Sequence, residues 1–317
     1  MEAQNNQCDR EKQFVSAVIY LHDVETTILT FLKSVDHTMA LLFERYEIIC
    51  VNDASKDGTA NYVKNFECED KTAALTLINM SYHQGLERSM TAGVDLAIGD
   101  FVFEFDQTHL LFSPESVKAI YQRAIEGFDI VNATPNIRQP VTSKWFYSVF
   151  NRFASFSYAL DTESFRMLSR RAINRVRSMS ETAPYRKALY ANCGLKMSTL
   201  SFDVTEQLGS SSGNDLKRRS QLAIDALILF TDVGYRFAIT MTLIMMLITT
   251  IVAIYAVIVY CFQNPVEGWT PTILFLSFSF FGIFGILAIV IKYLSIIVEL
   301  IFKKRQYVYE SIQKISK

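Results

Sequence analysis

Ionisable side chains close four short apolar runs within the first 106 residues. His22 and Asp23 follow Phe14–Tyr20, Asp53 follows Glu47–Val51, His83 follows Ala74–Asn79, and Glu104 and Asp106 stand at the end of Phe101–Phe105. Carboxylates and imidazoles are the acceptors and donors that a polar ligand needs, and their repetition at one kind of place suggests a single binding region. Neither GxGxxG nor GxxxxGKS/T occurs, so a dinucleotide or P-loop site has no direct support. The five cysteines, Cys8, Cys50, Cys68, Cys193 and Cys261, are scattered and form no metal-spaced pair, which is consistent with a reducing cytoplasm.

The elements that position these residues follow from periodicity. Phe14–Tyr20, Glu47–Val51, Ala74–Asn79, Phe101–Phe105 and Phe128–Ala133 are short, apolar and rich in β-branched or aromatic residues, as buried strands are. Between them, Glu25–Phe43, Gln84–Ala97 and Pro114–Ile125 carry helical spacing, the last with Ser113 as its expected cap. Asn52–Thr59 (NDASKDGT) is a polar turn into a further helix, broken by Asp57-Gly58. Strand and helix alternate, which predicts an α/β fold with a mostly parallel, doubly wound sheet. Ligands bind such sheets at the carboxyl ends of the strands, where the ionisable residues fall. Beyond Pro140 the rhythm changes. Trp145–Tyr158 is aromatic and helical in spacing, Ser169–Met179 is a basic helix, and Lys196–Asp203 reads as a strand at the sheet edge.

The carboxyl-terminal third has another character. Phe237–Phe262 is 26 residues without a formal charge, and Thr270–Phe302 is interrupted only by Lys292 and Glu299. A helix needs roughly 20 apolar residues to cross a bilayer, so these runs predict a helical hairpin, with Ile273–Ile291 as the core of its second arm. Lys217, Arg218, Arg219 and Arg236 precede it, and Lys303, Lys304 and Arg305 follow it, whereas the connecting turn has Glu267 and no basic residue. The positive-inside rule then places both termini and the α/β domain in the cytoplasm. The other reading, a large buried hairpin in a soluble protein, would leave runs of this length without a purpose. Residues 212–231 show one apolar side, Leu216, Leu222, Ile224, Leu227 and Ile228, which suits either the membrane plane or packing on its own domain. The amino terminus is polar and lacks the apolar core of a signal peptide. The expected organisation is a flexible segment 1–13, an α/β domain 14–211, an interface helix 212–233, a hairpin 234–304 and a tail 305–317. A net charge of −1 says nothing about nucleic acid, and no nucleic-acid partner is expected, because the basic residues gather around the hairpin, where they suit anionic headgroups.

Four segments carry a family resemblance: VSAVIYLHDVETTI (15–28), YEIICVNDASKDGT (46–59), MTAGVDLAIGDFVFEFDQTH (90–109) and SFRMLSRRAI (164–173). Together they resemble the inverting family 2 glycosyltransferases of GT-A fold, in particular the membrane-anchored branch that makes dolichyl- or polyprenyl-phosphate sugars. The resemblance implies a nucleotide-diphosphate sugar donor, UDP-linked, and a polyprenyl phosphate acceptor, with a homo-tetramer by precedent. It implies a donor site on Asp53, Asp23, His22, His83 and Glu104, with Asp53 on the base or ribose; the residue could equally stabilise a turn. The metal motif would be Glu104 and Asp106, since carboxylates two apart can share a divalent cation, and hard oxygens suit Mg²⁺ or Mn²⁺. Arg166 would meet a phosphate or else pair with a carboxylate. Ser164 replaces the acid expected beside the acceptor, so Glu163 or Asp161 moves in, or the acceptor's own charge suffices. Arg170 and Arg171 suit headgroups or substrate, and Lys217, Arg218 and Arg219 would take the acceptor phosphate. Another lipid-linked acceptor, or a non-catalytic nucleotide-sugar-binding homologue, remains an alternative.

Overall fold

The computed structural model describes residues 10–137, 163–179, 186–208 and 309–314, with isolated helical positions between 240 and 297. Asp161, Lys217, Arg218 and Arg219, the aromatic segment 145–158, the expected interface helix and most of both apolar runs lie outside these residues. Two compact units result: one holds residues 1–151, 156–222 and 304–317, the other 152–155 and 223–303.

The first unit is an α/β sheet domain. Its strands are β1 (Glu11–Leu21), β2 (Phe43–Asn52), β3 (Ala74–Met80), β4 (Phe101–Phe105), β5 (Leu110–Phe112), β6 (Ile130–Pro135), β7 (Phe165–Ser169), β8 (Met197–Phe202), β9 (Val204–Gln207) and β10 (Tyr309–Lys314). Its helices are α1 (Glu25–Leu42), α2 (Thr59–Lys64), α3 (Leu86–Leu96), α4 (Pro114–Ile125), α5 (Arg170–Ser178) and α6 (Arg186–Asn192). Eight strands form one sheet in the order β10-β3-β2-β1-β4-β7-β6-β8, and β5 pairs with β9. Strands β1 to β4 are mutually parallel, as are β6 and β8, while β7 and β10 pair antiparallel with their neighbours.

The parallel centre follows from composition. Residues 15–19 of β1 are buried without alternation, as a strand covered on both faces must be. Helix α3 approaches β1 and β2 closely because Gly93 has no side chain; a Cβ there would stand 2.4 Å from Val18 Cγ1 and 2.7 Å from Val51 Cγ2. On the other face, Phe31, Phe105, Phe112 and Phe165 pack ring against ring at centroid distances of 5.0 to 6.0 Å. Ser113 caps α4 as expected, its side chain accepting from the Ser116 amide. Ser169 caps the basic helix α5 in the same way.

Strand β2 starts earlier than the apolar run suggests, and β6 runs two residues later. Three features were absent from the expectation. Strand β7 lies in the fourth motif block, and the buried Arg166 interrupts its apolar run. The β5–β9 ribbon is too short to show a period. Strand β10, from the tail, adds to the free edge of β3 in register Ile312 with Ile78. In the second unit, Thr240, Ile244, Phe275, Ile283, Tyr293 and Ile297 are helical. Among the described residues no helix is long and apolar enough to cross a membrane.

Candidate active site

Two polar arrays lie at the carboxyl ends of the parallel strands, on either side of β1. The first is organised by Asp53, which follows β2 and is fully buried. Its Oδ1 accepts from the Gln84 amide at 2.7 Å, and its Oδ2 from the Gly85 amide at 2.7 Å and the Tyr20 hydroxyl at 3.0 Å. Gly85 adopts φ +95°, which only glycine takes without strain and which aims its N–H at this carboxylate. His83 Nδ1 lies 3.0 Å from Asp53 Oδ2, and His22 Nδ1 lies 2.8 Å from the Asp53 carbonyl oxygen. Both Nδ1 atoms face acceptor oxygens. The two imidazoles stack at 3.9 Å. Asp53 therefore ties β1, β2 and the start of α3 together, and the stacked imidazoles are partly exposed beside it.

Asp23 braces the neighbouring loop. Its Oδ1 accepts from the Lys56 amide at 2.8 Å, its own amide donates to Ser55 Oγ at 3.1 Å, and it holds φ +49°. Asp57 and Glu25 clasp reciprocally: Asp57 accepts from the Glu25 amide and Glu25 from the Gly58 amide, each at 3.0 Å. This fixes the start of α1 against that of α2.

The second array is a ring of two carboxylates and two guanidiniums. Arg166, opposite Glu104 in the β4–β7 register, donates to Glu104 Oε2 and Asp106 Oδ2, both at 2.7 Å. Arg186, at the start of α6, donates to Glu104 Oε1 at 2.7 Å and Asp106 Oδ1 at 2.8 Å. Tyr190, one turn on, donates to Glu104 Oε1 at 2.8 Å, and its ring lies under the Arg166 guanidinium. Glu163 accepts from Arg166 Nε at 3.3 Å and lies 3.7 Å from Lys187, while Glu87 takes Arg186 Nε at 2.9 Å. Glu104 and Arg166 are fully buried, and the side chain of Asp106 is 10% exposed. Burial alone would raise the Asp106 carboxyl, but Arg166, Arg186 and Lys187 outweigh it and hold its pKa down at about 2. Burial would lower both arginines, yet the surrounding carboxylates keep them firmly charged.

The expected metal dyad meets this ring unevenly. Glu104 has no exposure and accepts three hydrogen bonds, so it does not fit a cation ligand. Asp106 fits better, because it follows the strand end and its side chain is partly exposed, although each oxygen accepts from an arginine. His22, Asp53 and His83 also have donor atoms within 4.8 Å of one another, a set that could hold a metal ion, although Asp53 is taken up by two amides and a hydroxyl.

The structure thus joins Asp106, Glu104, Arg166 and Glu163 in one array, and Asp53, His22, His83 and Asp23 in the other. Arg170 and Arg171 join neither. Arg170 donates to the carbonyls of Ala97 and Gly99, and Arg171 pairs with Asp129, around the opposite end of β4. Sequence reasoning missed Arg186, Lys187 and Tyr190. The only signal available is an arginine-lysine pair set between tyrosines in PYRKALY.

Residues 16–190, which include both arrays, match the family model described as glycosyl transferase family 2. The chain belongs to that family. A relative in Synechocystis sp., an uncharacterized glycosyltransferase, is 30% identical over 195 residues, 60% of this chain and 60% of its own length. The bactoprenol glucosyl transferase of Shigella phage SfV is 24% identical over 275 residues, covering 84% of this chain and 88% of its own. A solved mannosyltransferase from Pyrobaculum calidifontis, in complex with GDP-Man and Mn²⁺, superposes with a TM-score of 0.49 at 15% identity, covering 87% of this chain and 88% of its own. The expected glycosyltransferase activity and α/β GT-A domain with a mostly parallel sheet are borne out. In this family 2 glycosyltransferase, two residues depart from the usual motifs: Glu104 sits inside the ring, and Ser164 Oγ accepts from Gln107 at 2.8 Å.

Proposed function

We propose that this glycosyltransferase moves a sugar, with inversion, from a UDP-linked donor to polyprenyl phosphate at the cytoplasmic face of a membrane. One observation carries the acceptor class. The acid usual beside the acceptor is Ser164, and its neighbour Glu163 is paired with Arg166 and Lys187 rather than poised as a base. An acceptor hydroxyl would need a base, whereas a phosphate monoester arrives already ionised. Its oxygen attacks the anomeric carbon, the bond to the nucleotide diphosphate breaks, and no proton has to be removed. Arg166, Arg186 and Lys187 supply cationic surroundings for such phosphates. The bactoprenol glucosyl transferase named above is a relative across most of its length, which favours the same lipid class.

The stacked His22 and His83 rings offer an aromatic surface for the nucleotide base, with Asp53 fixing their orientation. Asp106 would hold Mg²⁺ or Mn²⁺, which when bound neutralises charge on the leaving diphosphate. The membrane reading rests on the two long apolar runs, and the exposure of Ile244, Ile283, Val290 and Ile297 at helical positions supports it. A two-pass anchor with both termini in the cytoplasm, packed as a homo-oligomer, completes the proposal.

The deciding experiment supplies the full chain in detergent with labelled UDP-glucose, UDP-galactose or UDP-N-acetylglucosamine, Mn²⁺ and polyprenyl phosphate. A labelled lipid product that disappears with Asp106→Ala is expected. No transfer to polyprenyl phosphate from any donor would sink the reading.

A further inference from the structure

The geometry points to an ion-pair exchange at the strand ends: Arg186 latches Asp106 until a divalent cation and a diphosphate arrive together. The inference rests on the nucleotide-diphosphate part of the proposed function.

In the ring formed by Glu104, Asp106, Arg166 and Arg186, each carboxylate is bound by both arginines and each arginine bridges both carboxylates, at 2.7 to 2.8 Å throughout. A cation arriving alone at Asp106 would displace a guanidinium from one or both of its oxygens. Those donors would be left beside a dication in a buried place, where like charges repel strongly. A diphosphate arriving alone would draw the guanidiniums and leave Asp106 without its partners. A cation already bridged to a diphosphate carries both complements. Its positive side takes Asp106, its anionic oxygens take the freed N–H groups, and no charge is left unpaired. Glu104 and Tyr190 stay in place and keep the arginines oriented, because Glu104 is held by three donors and is closed to solvent.

Two positions show which arm moves. Arg166 stands on β7, whose backbone is paired in the sheet with both β4 and β6. Arg186 stands on helix α6, outside the sheet, where its amide and Nε also donate to Glu87 at 2.9 Å. Arg186 is therefore the latch and Arg166 the fixed member. Arg186 also lies next to Lys187, which places a second cation near Glu163 and the entering phosphates. A diphosphate rather than a monophosphate is the fitting ligand, because it chelates the cation through one phosphate while offering the other to the guanidiniums.

The test measures binding, not turnover, on the full chain in detergent. Electron paramagnetic resonance counts free Mn²⁺ during titration. In the wild-type protein, Mn²⁺ affinity should rise about tenfold or more when UDP is saturating, as coupled sites do. With Arg186→Ala, Mn²⁺ alone should bind several-fold tighter than to wild type, because Asp106 Oδ1 loses its guanidinium donor, while UDP affinity in the presence of Mn²⁺ falls. A merely structural arginine would not raise metal affinity. Arg186→Ala that binds Mn²⁺ no better than wild type, while melting cooperatively, overturns the latch. If that variant does not fold, Arg186→Lys, which keeps the charge but cannot bridge two carboxylates, should show the same direction. Wild-type coupling below twofold overturns the exchange in either case. The donor reading fails separately if no nucleoside diphosphate binds with Mn²⁺ while the Arg186 variants still release Asp106 to the metal.

Discussion

Glu104→Gln isolates the buried carboxylate while keeping its shape. Glu104 accepts from Arg186 and Tyr190 through Oε1 and from Arg166 through Oε2. An amide has one acceptor oxygen and one NH₂, so it turns its oxygen to the side with two donors and its NH₂ toward Arg166. One charge-assisted hydrogen bond is lost, about 1.5–3 kcal/mol, and a donor then faces a donor beside an uncompensated buried guanidinium. Breaking a buried ion pair from one side costs about 3–5 kcal/mol, and the total should fall in that range. For a domain of this size each kcal/mol moves the melting temperature by roughly 2–4 °C, so a loss of about 10 °C is expected. Circular dichroism or tryptophan-independent dye melts of the solubilised chain would read it. A double cycle with Arg186→Gln should give less than the sum of the two single losses, by about 1–3 kcal/mol. If Glu104→Gln melts within about 2 °C of wild type, Glu104 is not the counter-ion that holds the ring, and the assignment of metal contact to Asp106 alone loses its basis.

Three further outcomes follow from single contacts. The Asp106 carboxyl is held at about 2, below its ordinary 3.8; its folded pKa is depressed, so its contribution of about 2 kcal/mol is complete above pH 3.8 and disappears as pH falls through 2. Acid melts should show this loss between pH 4 and 2, and Asp106→Asn should abolish that part of the slope. Gly93→Ala places a methyl 2.4 Å from Val18 Cγ1 and should destabilise by about 1–3 kcal/mol, with Val18→Ala restoring part of it in the double variant. Removing residues 309–317 takes away β10 and exposes the edge of β3, so amide exchange within Thr76–Met80 should accelerate while that of β4 is unchanged.

The strand–helix alternation was plain in the sequence because most of β1, β2 and β4 is buried on both faces and so reads as continuous apolar runs. The placement of Asp53, Glu104 and Asp106 at strand ends followed from that alone. Local pattern could not reveal what those carboxylates touch. Arg186 lies 80 residues from Asp106 in the chain, and nothing in its immediate neighbours distinguishes it from a solvated arginine. The same holds for Arg166: the motif suggested a phosphate ligand, while the antiparallel return of β7 sets it opposite Glu104. Arg170 and Arg171 stand beside it in sequence, yet the turn from β7 into α5 carries them around the other end of β4. Proximity along the chain grouped three arginines that the sheet separates.

The tail strand bears on the membrane reading in a way no hydropathy profile can. Strand β9 ends at Gln207 and β10 begins at Tyr309, and both belong to the same compact unit. A chain that begins and ends an apolar stretch inside one folded unit crosses a bilayer an even number of times, or not at all. Two long apolar runs between those points satisfy that condition, and a single crossing does not. The pairing also reaches the Asp53 array. Ser311 Oγ accepts from Asn79 at 3.2 Å, Asn79 accepts from Asn52 at 2.9 Å, and Asn52 accepts from the Ser55 amide at 3.1 Å, in the loop that carries Asp53. The segment that returns from the proposed anchor is thereby bonded, through two asparagines, to the backbone that holds the stacked imidazoles. Detaching it would free one edge of that loop, and the loss should appear as weaker UDP binding with Mn²⁺-only affinity unchanged.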